Sequence, residues 1–317
     1  MISVIIPAYN AEDTIRTCID SVLSQSYSSF EIIAIDNMSS DRTAEIIKSY
    51  EDGRIIYTLC EDRGVSFARN RGIEMSKGDF IFFLDSDDTL VPDALMKMYT
   101  AALSSEADIV IPNISIKNKK HTFPCDKKTK KLNISGKKIE KKDIPEFFCE
   151  KSYCYILYFV FKLYKKTFII NNNIKFSPKF SLGEDLLFNI DAYNAASAIY
   201  YLSEPLVIYD NTSTGLNKKY REDFIEIKLL LNKYIKEYLI KHNAFTDKYY
   251  ISVLNEIIAM MNNEPTYENI ERVLTLDIVS ETVKSGVKKY LPLRKKIALF
   301  CLKYRIRFML RIIIKYI

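Results

Sequence analysis

Phe80-Ile81-Phe82-Phe83-Leu84 runs directly into Asp85-Ser86-Asp87-Asp88. Five consecutive large apolar residues ending at a polar turn predict a strand buried on both faces, with several carboxylates gathered at its mouth. Two upstream segments have the same form. Ile2-Ser3-Val4-Ile5-Ile6 stops at Pro7, and Phe30 to Ile35 stops at the polar cluster Asp36 to Asp41. Between them, Asn10 is placed to cap a helix with Glu12 and Asp13 in its first turn, and Ile15, Cys18, Ile19, Val22 and Leu23 follow helical spacing. A helix over 43–50, a third strand over 55–59 and a helix over 66–75 continue the alternation. The pattern predicts an α/β fold, a Rossmann-like, mostly parallel sheet flanked by helices. Ligands of such sheets sit beyond the carboxyl ends of the strands, so Pro7 to Asn10, Asp36 to Asp41 and Asp85 to Asp88 are expected to converge.

Composition narrows the class further. The chain has 317 residues, 48% hydrophobic and 27% charged, with only 8 Gly and 9 Pro, which excludes collagen-like, linker-like and broadly disordered proteins. A catalytic domain over 1–215 and a helical region over 216–317 are expected, the latter with helices over 224–239, 249–261, 267–274 and a long one from about 294 to the end. The opening MISVIIPAYN lacks the basic segment of a secretory signal, so a cytoplasmic protein is expected. Six cysteines without a C-x-x-C pair read as reduced structural thiols, and two histidines cannot build a His-rich metal centre. Any metal should therefore sit on carboxylates.

The net charge of +6 is unevenly placed, because residues 282–317 carry eleven Lys or Arg and no acid. A second basic stretch, 117–142, holds eleven Lys against Asp126 and Glu140 and shows no helical or alternating pattern, which predicts a mobile loop. Neither stretch is Arg-rich with interleaved aromatics, so no nucleic-acid groove is expected.

At the mouth of the 80–84 strand, clustered carboxylates repel one another unless a cation offsets them. A hard divalent ion, Mn²⁺ or Mg²⁺, suits oxygen ligands and keeps positions open for phosphate oxygens. The alternative is a solvated acidic turn capping the helix that starts near Pro92.

Five segments occur in one order: Ser3 to Asn10, Asp36 to Asp41, Ala68-Arg69-Asn70-Arg71-Gly72, Gly78 to Asp88, and Gly183-Glu184-Asp185-Leu186-Leu187-Phe188. Together they resemble the inverting nucleotide-sugar glycosyltransferases of family 2, with the GT-A fold, over about residues 1–215. The resemblance implies a nucleoside pocket at Pro7, Tyr9 and Glu12, with the Tyr ring stacking on the base. It makes Asp36 and Asn37 the pair that reads uracil. Asn37 stands where the family usually has Asp and Met38 where Gly is common; the Asn37 side-chain oxygen supplies an acceptor for a uracil N3 hydrogen, while its amide nitrogen adds a donor. Arg69 and Asn70 match a segment near the nucleotide, the alternative for Arg69 being a surface helix cation. Asp85 and Asp87, with Ser86 between them, match the family's D-x-D motif, Asp87 as metal ligand and Asp85 nearer the ribose. Glu184 and Asp185 match the acidic pair on the acceptor side, with Asp185 as general base. Their alternative is a pair of first-turn acids stabilised by the helix dipole. Tyr209 and Ser213 resemble a segment folding over the donor phosphates.

The implied activity is metal-dependent, inverting transfer of a sugar from a UDP-sugar to a hydroxyl of a surface-glycan acceptor such as a lipooligosaccharide, a capsule or another lipid-linked glycan. Two readings compete: a catalytically silent nucleotide-sugar binding module, and a sugar nucleotidyltransferase, for which no Gly- and Lys-bearing phosphate loop is present near the first strand. In the tail, Lys303, Arg307, Arg311 and Lys315 recur every four residues, while Leu302, Ile306, Met309, Leu310, Ile313 and Ile317 sweep another face. This predicts a basic amphipathic helix docking on an anionic membrane surface, the alternative being a helix packed on its own domain. Charges interrupt it too often for a membrane span.

Overall fold

The computed structural model describes residues 1–118, 122–124, 137–139, 154–180, 182–211 and 222–313. The chain forms two compact units, Met1–Ile144 with Ser152–Thr214, and Pro145–Lys151 with Gly215–Ile317.

In the first unit, one sheet is built from β1 (Ile2–Ala8), β2 (Phe30–Asp36), β3 (Ile55–Leu59), β4 (Phe80–Phe83), β5 (Thr89–Leu90), β6 (Ile109–Lys117), β7 (Thr122–Pro124), β8 (Lys137–Ile139), β9 (Leu163–Lys165) and β10 (Ile199–Asp210). Its order is β3-β2-β1-β4-β9-β6-β10-β5, with β7 beside β6 and β8 beside β10. The strands whose apolar runs are continuous, β1, β2 and β4, pair in parallel at the centre and are buried along their whole length. Beyond β4 the sheet turns mixed, because β9 lies antiparallel to both β4 and β6. The chain leaves β1 toward β2 and β3 on one side and reaches β4 on the other, so the crevice beyond the ends of β1 and β4 is the switch point of the sheet.

Close packing of the helix Val65–Met75 on β1 requires Gly72, since a Cβ there would stand 2.4 Å from Ile5 Cγ2. The Lys-rich stretch is not uniformly loop: β7 and β8 fall inside it, and pair with β6 and β10 through main-chain hydrogen bonds that need no apolar alternation. The rest of 119–142 lies outside the described residues. Cys18, Cys60 and Cys301 are buried free thiols.

The second unit is helical: Phe224–Lys241, Tyr249–Asn263, Tyr267–Leu274, Asp277–Lys284, Leu293–Lys303 and Arg307–Ile313, with a 3-10 turn at Gly286–Tyr290. The expected long terminal helix is two helices. Arg305 adopts a left-handed φ of 52°, Arg305 N–H donates to the Leu302 carbonyl (3.3 Å) and Ile306 N–H to that of Cys301 (2.9 Å), which closes the first helix in a Schellman motif. Spacing of four residues therefore does not carry Lys303, Arg307 and Arg311 along one continuous helix; Lys315 and Ile317 lie outside the described residues. Among the described residues no helix is long and apolar enough to cross a membrane.

Candidate active site

The loops after β1 and β2 are stitched together by short polar side chains. Asn10, itself at φ 48°, accepts from Ser40 N–H (2.8 Å); Ala11 N–H donates to Thr43 Oγ1 (2.7 Å), and Glu12 N–H to Asp41 Oδ2 (3.0 Å). Glu12 pairs in turn with Arg42, its carboxylate accepting from the Arg42 main-chain N–H and Nε, each at 3.2 Å. Pro7 is buried in β1, whereas Tyr9 is 50% exposed at the strand end, its ring available to a planar partner.

Asp36 ends β2, Asn37 follows it, and both are buried. Asp36 accepts from Ser39 N–H (3.0 Å) and the Tyr57 hydroxyl (3.2 Å). Asn37 is engaged through its whole amide: Nδ2 donates to the carbonyls of Asp62 (2.6 Å) and Cys60 (3.4 Å), and Oδ1 accepts from Gly64 N–H (2.8 Å). An Asp at this position could not donate to those two carbonyls, so Asn37 here fixes the 60–64 loop. The oxygen expected to meet a base already has one donor.

Arg69 joins three acids from distant parts of the chain. It lies on the helix Val65–Met75 and is 3% exposed, which rules out the surface-cation alternative. Nη2 donates to Asp85 Oδ1 at 2.8 Å; Nη1 donates to Glu184 Oε1 at 3.2 Å and also to Asp185 Oδ1. The guanidinium lies 5.1 Å from the centre of the Phe176 ring, which stacks on Phe188 at 4.0 Å and meets Phe83 edge-on at 5.2 Å. Burial alone would lower the Arg69 pKa, yet Asp185, Asp85 and Glu184 together raise it above its ordinary value. Its charge is fixed by the acids it gathers.

The two acids on the acceptor side open the helix Glu184–Ala195, whose entry is Gly183 at φ 81°, a left-handed conformation that costs a side-chain-bearing residue energy. Leu186, Leu187, Ile190 and Tyr193 anchor that helix in the core, as its spacing predicts. Burial pushes the Asp185 carboxyl well above the usual carboxylate range against the pull of Arg69, and Glu184 and Asp85 add to the rise.

In the Asp85–Asp88 turn, Asp88 N–H donates to the Asp85 carbonyl at 3.0 Å. Asp88 is 1% exposed, accepts from Asp210 N–H at 2.8 Å through Oδ1, and leaves Oδ2 buried with no hydrogen-bond partner. Burial, then repulsion from Asp85 and Asp87, raises its pKa. Ser86 and Asp87 are half-buried beside it. Tyr209, on β10, packs on Phe159 at 4.9 Å; burial first and then the charges of Asp88, Asp87 and Asp85 raise its phenol pKa. Ser213 lies outside the described residues.

Residues 3–167 match the sequence model of Glycosyl transferase family 2. The chain belongs to that family. Among family 2 relatives, it is 29% identical over 276 residues to the poly(ribitol-phosphate) beta-N-acetylglucosaminyltransferase TarP of Staphylococcus aureus, covering 86% of this chain and 75% of TarP. The glycosyltransferase YibD of Escherichia coli is also 29% identical, over 75% of this chain and 72% of its own length. In structure, the chain resembles S. aureus TarS with a TM-score of 0.66 at 18% identity, covering 99% of this chain and 55% of that one. TarS residues 1–349 in complex with UDP-GlcNAc give a TM-score of 0.63 at 19% identity, covering 90% of that chain. These likenesses fix the GT-A fold of the family 2 enzyme.

Asn70, expected near the nucleotide, gains a defined contact, and three further residues of this family 2 transferase carry the site without standing out in the sequence. Asn70 clamps Phe176 through both its main-chain groups, accepting at 2.9 Å and donating at 2.8 Å, and so holds the ring beneath Arg69. Asn189, one turn after Asp185, donates to the carbonyls of Leu157 (2.7 Å) and Phe159 (3.0 Å) and accepts from the Tyr164 hydroxyl (2.8 Å). Lys162, 1% exposed, donates to the Phe159 carbonyl; burial lowers its pKa to about 7 with Asp185 opposing. Asp88 was legible only as part of an acidic run. A Lys next to an apolar strand gives no sign of burial until its neighbours are known.

Proposed function

We propose that this family 2 enzyme transfers a sugar from a UDP-sugar to a hydroxyl of a glycan or other polyol acceptor, with inversion at the anomeric carbon and with Asp185 as general base. One observation carries the reading. Arg69 draws Asp85, from the turn beyond β4, to Glu184 and Asp185, which open a helix much later in the chain. A donor-side acid and an acceptor-side acid thereby face one position. Support for the donor comes from TarS, whose structure was solved with UDP-GlcNAc, and support for a surface-polymer acceptor from TarP and from a poly(ribitol-phosphate) beta-glucosyltransferase 30% identical over 206 residues.

Each side chain then has a task. Tyr9 offers its ring to the base, and Asp36 with the loop fixed by Asn37 forms the floor of the nucleoside pocket. Asp185 removes the acceptor hydroxyl proton as the bond to the leaving diphosphate breaks on the opposite side of the sugar. Its raised pKa strengthens it as a base, and Arg69 holds its orientation. Glu184 shares Arg69 and keeps it in place.

The Asp85–Asp88 turn fits a divalent cation. Its donors are hard oxygens, and Asp88 keeps a buried oxygen unsatisfied. Among the described residues, no group of three or more His, Cys, Asp or Glu is arranged to hold a metal ion. A Mn²⁺ or Mg²⁺ ion at this turn would therefore depend on substrate phosphates to complete its coordination beside one or two carboxylates. Asp87 with Asp85 would hold it, and when bound it supplies charge neutralisation for the departing diphosphate.

In the same reading the enzyme works peripherally on the cytoplasmic face of a membrane, where a lipid-linked acceptor is presented; the acid-free basic stretch 282–317 supports this. The decisive test is Asp185→Asn, assayed for transfer from UDP-GlcNAc and other UDP-sugars to poly(ribitol-phosphate). Turnover equal to the parent enzyme would remove the base.

A further inference from the structure

The described cations that a fourfold spacing groups into one docking stripe, Lys303, Arg307 and Arg311, are exposed but divided between two helices. Arg307 pairs with Glu271, and the Arg311 guanidinium lies 4.9 Å from the centre of the Tyr267 ring, so both also contact the helix Tyr267–Leu274. Beside these cations the exposed surface of the two last helices carries an apolar row. In Leu293–Lys303, the residues Leu293, Ile297 and Phe300, continued by Tyr304, recur at helical spacing and are 74%, 39%, 54% and 57% exposed. The opposite face, Ala298, Leu299 and Leu302, is buried. After the Schellman turn, Phe308 and Ile312 are exposed as well.

Cations border this row. At about 100° per residue, Lys296 and Lys303 fall on one side of it and Arg294 on the other. The Lys303 ammonium lies 5.3 Å from the centre of the Tyr304 ring, and Phe300 packs on that ring at 4.6 Å. A large exposed apolar stripe with an aromatic tip and flanking cations is the pattern of a helix lying in a membrane interface. A second copy of the chain would bring like charge against like charge across the same face, since residues 282–317 hold no acid. An anionic lipid surface satisfies both the apolar row and its border.

We infer that the enzyme docks on anionic bilayers through the Leu293–Ile297–Phe300–Tyr304 face, with Arg294, Lys296 and Lys303 contacting lipid headgroups. This deepens the membrane-surface reading and rests on it. Full-length protein is sedimented with vesicles of phosphatidylcholine alone or mixed with phosphatidylglycerol. The parent protein should pellet with the anionic vesicles and remain in the supernatant with the neutral ones. The triple variant Leu293→Ser, Phe300→Ser, Tyr304→Ser should lose at least tenfold in vesicle partition, and Lys296→Glu with Lys303→Glu should release the protein similarly. All five positions are solvent-facing or at the border, and an unchanged thermal melt will show that the fold is kept. Should the triple variant pellet as the parent does, this face is not the contact although the membrane reading stands. Should the parent fail to pellet with anionic vesicles, both fall. A concentration-dependent dimer abolished by the triple variant, without vesicle binding, would assign the face to self-association and overturn the inference.

Discussion

The Arg69 guanidinium donates to the Asp185 carboxylate across 116 residues of chain, and its other terminal nitrogen reaches Asp85 at 2.8 Å. One buried cation thus holds together the two acids on which the proposed chemistry depends.

Removing that cation should cost more than an ordinary surface ion pair. Breaking one partner out of a buried charge cluster costs about 3–5 kcal/mol, because the remaining charges are left uncompensated. Arg69→Ala is expected to lower the urea midpoint accordingly. Arg69→Lys should recover only part of the loss, since one ammonium cannot reproduce the fork that serves three carboxylates. A midpoint unchanged by Arg69→Ala would mean that the cluster does not form in solution.

Asp185→Asn keeps the size of the side chain but removes the base. Loss of a general base lowers turnover by about 10²–10⁴-fold. UDP affinity, measured by calorimetry, should change little, because the proposed nucleoside contacts lie at Tyr9 and Asp36. A parallel loss of UDP binding would relocate Asp185 to the donor pocket.

For the acidic turn, UDP affinity of the parent protein should rise on adding Mn²⁺ and fall again with a chelator. Asp87→Ala should abolish that gain. Identical UDP affinity with and without Mn²⁺ in the parent would count against a cation at this turn.

Lys162 makes stability depend on pH in a defined direction. Its pKa is 10.5 as the free side chain and about 7 when buried in the fold, so between these values the unfolded chain binds the extra proton. Stability therefore rises with pH from about 7 toward 10.5, by at most about 1.4 kcal/mol per unit from this group, and its contribution is flat below 7. Urea midpoints at pH 6.5 and 9 (roughly spanning the lower half of that window) should show the parent gaining on Lys162→Met as pH increases. A constant gap would show that the buried ammonium stays protonated.

Gly72→Ala tests the packing that positions Arg69. A Cβ only 2.4 Å from Ile5 Cγ2 must push the helix from β1. Overpacking of this kind costs about 1–3 kcal/mol. An unaltered urea midpoint would show that Ile5 rotates aside at no cost.

The local chemistry of the chain determined the strands, the alternation and the order of the acids along it. A continuous apolar run can be satisfied only by burial on both faces, so β1, β2 and β4 were legible from Ile2, Phe30 and Phe80 onward, and the polar residues ending them had to lie at one edge of the sheet. The helix opening at Glu184 was legible for the same reason, from Leu186, Leu187, Ile190 and Tyr193. Where charged and amide side chains go was settled only by tertiary structure. Arg69 reads equally as a surface cation until Asp85, Glu184 and Asp185 arrive around it, and burial without them would be prohibitive. Asn37 reads as a base-recognising amide, yet the 60–64 loop folds back to occupy it. In the tail, fourfold spacing marked the cations, but Arg305 in a left-handed turn broke the helix, so Lys303 and Arg307 sit on different helices, and Phe300 and Tyr304 are exposed beside Lys303. Periodicity is a property of neighbours in sequence; the cost of burying a charge is set by partners that only the fold supplies.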